Sequence, residues 1–212
     1  MEVRERILMR ADEMFMKHGV KSISMDDIAR DLGISKKTIY QYFSNKEELV
    51  VEVSKTYFTR EIQSCEGIAH KSENAVDEMM KVVYMSIKSL RDLNPSLIFD
   101  IQKYYPKAWE HFEAYKNGYV FDKLRENLRQ GIEEGIYRDN INIDIVARMR
   151  ISQIDASLNP NYFPPDIFHF SEIQIQMMEN YILGIATEKG RKLYQQYRDK
   201  SFSDQSQNQL IK

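Results

Sequence analysis

Residues 24–46, Ser-Met-Asp-Asp-Ile-Ala-Arg-Asp-Leu-Gly-Ile-Ser-Lys-Lys-Thr-Ile-Tyr-Gln-Tyr-Phe-Ser-Asn-Lys, decide how this chain folds. Ser24 and Asp27 have the spacing of a capping box, in which each side chain satisfies a free backbone N–H at a helix start. Asp26 and Asp27 also place negative charge at the positive end of that helix. Ile28, Ala29 and Leu32 give it one apolar face, and the small Ala29 lets a neighbouring helix cross closely. Gly33 follows where a left-handed residue ends a helix without a Cβ clash. Ser35 can then cap a second helix, Lys36 to Phe43. Its Ile39 and Phe43 turn inward with Ile34, which leaves Lys36, Lys37, Thr38, Tyr40, Gln41 and Tyr42 to project outward or sideways. Two short helices joined at a glycine, the second basic and aromatic, are how a helix-turn-helix offers a recognition helix to the DNA major groove.

The flanking sequence completes a small domain. A helix over about Glu2 to His18 supplies Ile7, Leu8, Ala11, Met14 and Phe15 as a third wall, and Gly19 stops it. Ser44 and Glu47 form another capping box, which opens a long helix from about Asn45 to Ala69. Lys46 in its first turn opposes the helix dipole, which points to an external anion such as phosphate. Residues 1–46 carry nine Lys+Arg against seven Asp+Glu, and 33–46 hold three lysines and no acid. The whole chain has a net charge of −2. That balance argues against a protein that coats DNA nonspecifically, while a dimer needs only two small basic patches.

The remainder reads as a larger helical body. Val76, Met79, Met80, Val83, Ile87 and Leu90 recur at helical spacing over about Glu73 to Leu93, where Asn94-Pro95 ends the helix. A short helix over about Ser96 to Tyr104 leads to Pro106, which suits the first turn of a helix running to Glu134 with glycines at 118 and 131. Gly135 terminates it. Helices follow over about Ile143 to Ser157 and Ser171 to Ala186, on either side of the proline-rich loop 159–165. The later one is apolar on two sides. Such a helix must be covered twice, which predicts a symmetric four-helix interface with a second copy, built on Ile173, Met177, Met178, Tyr181 and Ile182. The polar segment 201–212 reads as a frayed, disordered tail.

Bulk properties exclude several classes. At 212 residues, with five prolines and eight glycines, the composition is that of an all-α protein able to hold two cores. A charged start without an apolar core is no typical signal peptide, and no apolar run approaches a membrane span. The lone Cys65 forms no intrachain disulfide, which suits the cytoplasm. There is no phosphate-binding glycine loop, no Gly-x-Ser-x-Gly and no His-Glu-x-x-His, and the four histidines are scattered. Neither an enzyme nor a metal or cofactor site is predicted.

Ile28-Ala29, Gly33, Ser35, Thr38, Ile39-Tyr40, Tyr42-Phe43, Lys46 and Leu49, with Phe15, Gly19 and Ser24 before them, resemble the N-terminal pattern of the tetracycline-repressor (TetR) family of bacterial regulators. Gly184 to Gly190 is similar to the end of the last dimer helix in many members. The resemblance implies a helix-turn-helix DNA-binding domain at 1–46 and an effector-binding and dimerisation domain at 47–200. It implies that Lys36 and Lys37 reach base edges or nearby phosphates, that Ser35 and Thr38 bond the backbone, and that Tyr40 packs on thymine methyls or a phosphate. Tyr42, where many relatives have histidine, would clamp phosphate with Lys46. With Ser24 and Gln41 these form the candidate DNA-contacting set. The resemblance further implies an effector cavity lined by Tyr57, Tyr84, Phe99, Tyr104, Trp109, Phe112 and Tyr119, whose occupation tilts the long helix and releases the operator. The expected function is a dimeric repressor released from an inverted-repeat operator by a small molecule. The alternative is a helical adaptor of the same fold that binds a protein.

Overall fold

A computed structural model describes residues 2–91, 93–94 and 96–209, with side chains through Asp199. Among them it contains eleven α-helices and no strand. They are α1 (Val3–His18), α2 (Met25–Asp31), α3 (Lys36–Tyr42), α4 (Lys46–Ala69), α5 (Ala75–Ser89), α6 (Ser96–Tyr104), α7 (Pro106–Ala114), α8 (Phe121–Glu133), α9 (Ile143–Ser157), α10 (Phe170–Ile185) and α11 (Glu188–Gln209). Pro95 and residues 210–212 of the expected tail lie outside the described residues. No described helix is long and apolar enough to cross a membrane.

The chain forms two compact units, Met1–Ser64 with Ser89–Tyr119 and Cys65–Lys88 with Val120–Lys212. In the first, Ile7, Ala11, Val20, Ile28, Ile39 and Leu49 are fully buried, and Leu97 of α6 and Ala108 of α7 join them. Ion pairs fix the helices around this core. Arg10 of α1 holds Asp31 of α2, while Arg4 and Asp12 of α1 pair with Glu52 and Arg60 of α4. In the second unit, Val76, Leu128, Ile136, Tyr137, Ala147, Met178, Ile182 and Tyr194 make the core.

Local chemistry accounts for where the helices begin, including two starts the sequence reading misplaces. Helix α4 is capped one residue later than expected. Asn45, not Ser44, accepts the backbone N–H of Glu48 (2.8 Å), and the Glu48 carboxylate reaches back to Ser44 N–H and Oγ. Helix α5 starts at Ala75 because Asn74 Oδ1 accepts the N–H groups of Val76 and Asp77. The helix expected from Pro106 to Glu134, punctuated at Gly118 and Gly131, widens into a π-helical turn at Tyr115–Val120, around Gly118. Pro106 does occupy its first turn, and Gly135 follows it with φ +67°.

The largest departure is α11, which the sequence reading omits. Helix α10 stops at Ile185, and the next two residues run extended beside Ile136–Arg138. Thr187 N–H donates to Ile136 O, and Arg138 N–H donates to Ile185 O (both 2.8 Å). Thr187 Oγ1 then accepts the N–H of Gly190 and starts α11, which continues into the segment expected as a tail. A Cβ on Gly190 would lie 2.3 Å from Ile136 O, so only glycine fits this approach. Gly184 to Gly190 therefore ends α10 and clasps it to the start of α11.

Candidate nucleic-acid interface

Every step of the turn between α2 and α3 has an identifiable cause. Ser24 Oγ accepts the N–H of Asp27, and Asp27 Oδ2 accepts the N–H of Ser24 (2.9 Å), which closes the capping box. The Ser24 hydroxyl (2.6 Å) and N–H both donate to the Asp27 carboxylate and hold it below its usual range. Gly33 has φ +66°, the left-handed geometry that turns the chain between the helices. Ser35 Oγ accepts the N–H of Thr38 (3.0 Å) and sits 2.8 Å from Thr38 Oγ1. Both hydroxyls are thus engaged in starting α3, and Thr38 is half-buried.

Helix α3 is divided sharply into two faces. Ile39 is fully buried and Phe43 is 1% exposed, and together they anchor the helix. Ser35, Lys36, Lys37, Tyr40, Gln41 and Tyr42 are exposed, with the two tyrosines at 43% and 41%. Lys36 Nζ lies 2.9 Å from Asp26 Oδ2 and 5.9 Å from the centre of the Tyr40 ring. The hydrogen bond to Asp26 raises the Lys36 pKa. Sequence reasoning assigns Asp26 only to the helix dipole and misses this pairing, although two acids ten residues before a lysine pair are the visible signal. Lys46 departs from its expected place. Its ammonium is half-buried and donates to Val20 O, and burial lowers its pKa against the pull of Asp100 and Asp27. It is not displayed beside α3 as a free phosphate clamp.

The predicted effector residues divide into three groups. Tyr57, Trp109, Phe112 and Tyr119 belong to one aromatic cluster of the first unit, built around Phe58 and Tyr115. Burial beside Glu61 and Asp12 raises the Tyr57 phenol. Phe99 (50% exposed) and Tyr104 (43%) instead lie on the surface of α6, where Lys103 covers both rings. A hydrogen bond from Lys103, then the charges of Lys103 and Lys21, lower the Tyr104 pKa. Tyr84 packs against the core of the second unit. Phe58 and Tyr115 are missing from the predicted lining because an aromatic on the inner side of a helix reads first as ordinary core.

The predicted dimer residues also need correction. Ile173, Met178, Tyr181 and Ile182 are between 0% and 7% exposed, covered by their own chain. Of the five, only Met177 remains half-exposed. An open apolar surface lies instead on α9. Ile145 (59% exposed) and Met149 (58%) lie there with Ser152 and Ala156 in a stripe at helical spacing, beside Met177.

Comparison with known proteins agrees with this geometry. Residues 7–53 match the family described as bacterial regulatory proteins, tetR family. The chain is 26% identical over 190 residues to the HTH-type transcriptional regulator YvaF of Bacillus subtilis, covering 87% of this chain and 96% of that one. It is 24% identical over 152 residues to the HTH-type transcriptional repressor KstR2 of Mycobacterium tuberculosis, covering 68% and 74%. The fold superposes on a transcriptional regulator of Saccharomonospora viridis, solved in complex with choline, with a TM-score of 0.74 at 19% identity, covering 87% and 98%. With its capped turn, its anchored α3 and this match, residues 7–53 are a DNA-binding domain of the tetR family of bacterial regulatory proteins.

Proposed function

We propose that this regulator is a homodimeric repressor whose paired α3 helices read an inverted-repeat operator and which a small-molecule effector releases. The division of α3 carries the DNA-reading part. Ile39 locks the helix into the domain, while Lys36, Lys37, Tyr40, Gln41 and Tyr42 stay exposed. Lysine is a flexible donor suited to guanine O6 and N7, and tyrosine combines an apolar ring with a hydroxyl. Ser24, Ser35, Thr38 and Lys46 then act by holding the helix, and their DNA contacts are secondary. Residues 1–46 read DNA, and 47–200 serve effector binding and dimerisation.

The α9 stripe supports the dimer. Ile145 and Met149 are large apolar side chains left in water next to Met177, and a second copy of the same surface would cover them. One helix-turn-helix makes too few contacts for a specific site, whereas a two-fold pair reads half-sites about 34–36 Å apart or at a multiple of that spacing. The aromatic cluster around Phe58 supports the effector. Its tyrosines and single tryptophan suit a mixed apolar–polar small molecule. The relative KstR2 is a repressor, and the S. viridis regulator holds choline.

The test is fluorescence anisotropy on DNA from immediately upstream of the coding region, at increasing salt, with sedimentation of the free protein. The proposal expects a tight, salt-sensitive complex with two subunits per inverted repeat. It also expects a dimer at micromolar concentration that Met149→Asp dissociates. A wild-type monomer would sink the dimer. Failure to enrich any sequence from a random DNA library would leave the adaptor reading.

A further inference from the structure

Where this fold buries a charged side chain for structural reasons, it supplies the counter-ion. Lys116 is 4% exposed and pairs with Glu113 at 2.8 Å; Asp77 is 5% exposed and pairs with Lys81 at 2.6 Å. Asp100 (7% exposed) has no direct ion pair among the described residues but faces the charge of Lys46, whereas Arg150, on the core side of α9, has neither. It is 3% exposed, and no carboxylate among the described residues pairs with it. Its Nη1 donates to Gln153 Oε1 (3.1 Å) and its Nη2 to Gln174 Oε1 (3.4 Å), both neutral. The network beyond is neutral as well. Gln174 Nε2 donates to Ser157 Oγ, and Ser157 Oγ donates to Ile154 O (2.7 Å each).

A second buried donor lies beside it. The Arg150 guanidinium carbon is 5.9 Å from the centre of the Tyr181 ring. Tyr181 is 6% exposed, and its hydroxyl has no hydrogen-bond partner. A buried cation without an anion and a buried phenol without an acceptor are each costly, and here the guanidinium lies over the ring that carries the phenol. Burial lowers Arg150 to about 10, with only Tyr181 opposing the shift, and raises the Tyr181 phenol.

We propose that Arg150 and the Tyr181 hydroxyl, steadied by Gln174, receive the negatively charged group of a small-molecule ligand in the second unit rather than at the Phe58 cluster of the first, and that a carboxylate on an apolar body is the class that fits. A planar guanidinium binds a carboxylate through two parallel N–H bonds, and the phenol O–H adds a third. Ile151, Met178 and Ile182, from the same two helices and between 0% and 4% exposed, supply apolar surroundings that exclude water. The site lies wholly within the second unit. This inference rests on the reading that the regulator takes an effector.

The test uses the full-length protein and three variants, Arg150→Met, Arg150→Lys and Tyr181→Phe. Without ligand, a cation kept for a ligand is a liability, so Arg150→Met raises the thermal midpoint by about 2–10 °C. A lowered midpoint would make Arg150 structural and overturn the proposal. The ligand arm titrates dodecanoate against dodecan-1-ol below their aggregation limits, followed by isothermal titration calorimetry. Wild type is expected to bind the acid at least about 30-fold tighter than the alcohol. That preference should fall below about 3-fold in Arg150→Met, recover partly in Arg150→Lys and weaken in Tyr181→Phe. Equal binding of acid and alcohol, no binding of dodecanoate by wild type, or an unchanged preference in Arg150→Met would each overturn the proposal. So would loss of dimer by Arg150→Met, since the counter-ion would then belong to a second copy. Anisotropy on DNA separates the two readings. Dodecanoate held through Arg150 that leaves the DNA complex intact contradicts effector release and keeps the anion site. DNA binding without acid recognition does the reverse.

Discussion

Helices α3 and α10 use their side chains in opposite ways. Helix α3 places one of its seven residues, Ile39, in the core and holds the others as a platform. Helix α10 buries six of sixteen, including Gln174, and serves as a central strut of the second unit. The difference follows from solvation. A lysine or glutamine on a short helix has one inexpensive place to go, which is water. An isoleucine or methionine is satisfied by any apolar cover, from its own chain or another, so its pattern says that it is buried and leaves open by what.

If α10 is a strut, Ile182→Ala opens a cavity in a closed core and costs about 2–5 kcal/mol in denaturant unfolding. In α3, Tyr40→Ala should change stability by less than about 0.5 kcal/mol while weakening the DNA complex. An Ile182→Ala protein of normal stability that no longer dimerises would restore α10 as the interface. Next, Lys37→Ala should relax discrimination at one base pair of each half-site by about 1–3 kcal/mol, read by competition with point-substituted operators. A loss equal on all sequences would make Lys37 a phosphate contact.

Smaller effects test the supports of α3. Ser24→Ala removes an N-cap and lowers stability by about 1 kcal/mol at neutral pH. The Ser24–Asp27 pairing holds Asp27 below its unfolded value, so its contribution is present above that value and is lost as pH falls through the folded one. The gap between wild type and variant should therefore narrow in acid unfolding below about pH 4, to what the Asp27 N–H bond to Ser24 Oγ still supplies. A gap constant with pH would separate the cap from the carboxylate. The least effect is expected from Lys46→Ala, which should change the slope of log affinity against log salt by well under one, because Val20 O already holds the ammonium. A drop near one would show that Lys46 leaves Val20 to grip phosphate.

The fold class, the turn between α2 and α3 and the ends of α4, α6 and α9 were legible because local chemistry determines them. A cap needs an oxygen at one position, and Gly33 meets a backbone demand that other residues resist. The same logic explains the small error at α4. Ser44 and Asn45 both offer an oxygen, and only the chain path selects Asn45. Helix α11 was not legible because its apolar contacts are few, chiefly Leu193, Tyr194 and Tyr197, and its start depends on the distant Ile136. Arg150 was invisible for a related reason. A lone arginine in a helix reads as surface until the packing shows that no acid comes to meet it.

The Asp26–Lys36 pair has a kinetic consequence. When phosphate replaces the Asp26 carboxylate on Lys36, one anion is exchanged for another, so little is gained over what the free protein already holds. A lysine neutralised in advance adds little to residence on arbitrary DNA. It stays in one orientation until a base edge offers more than its own aspartate does. If α3 reads DNA as proposed, such a pair shortens each stop on a wrong sequence and speeds the search for the operator.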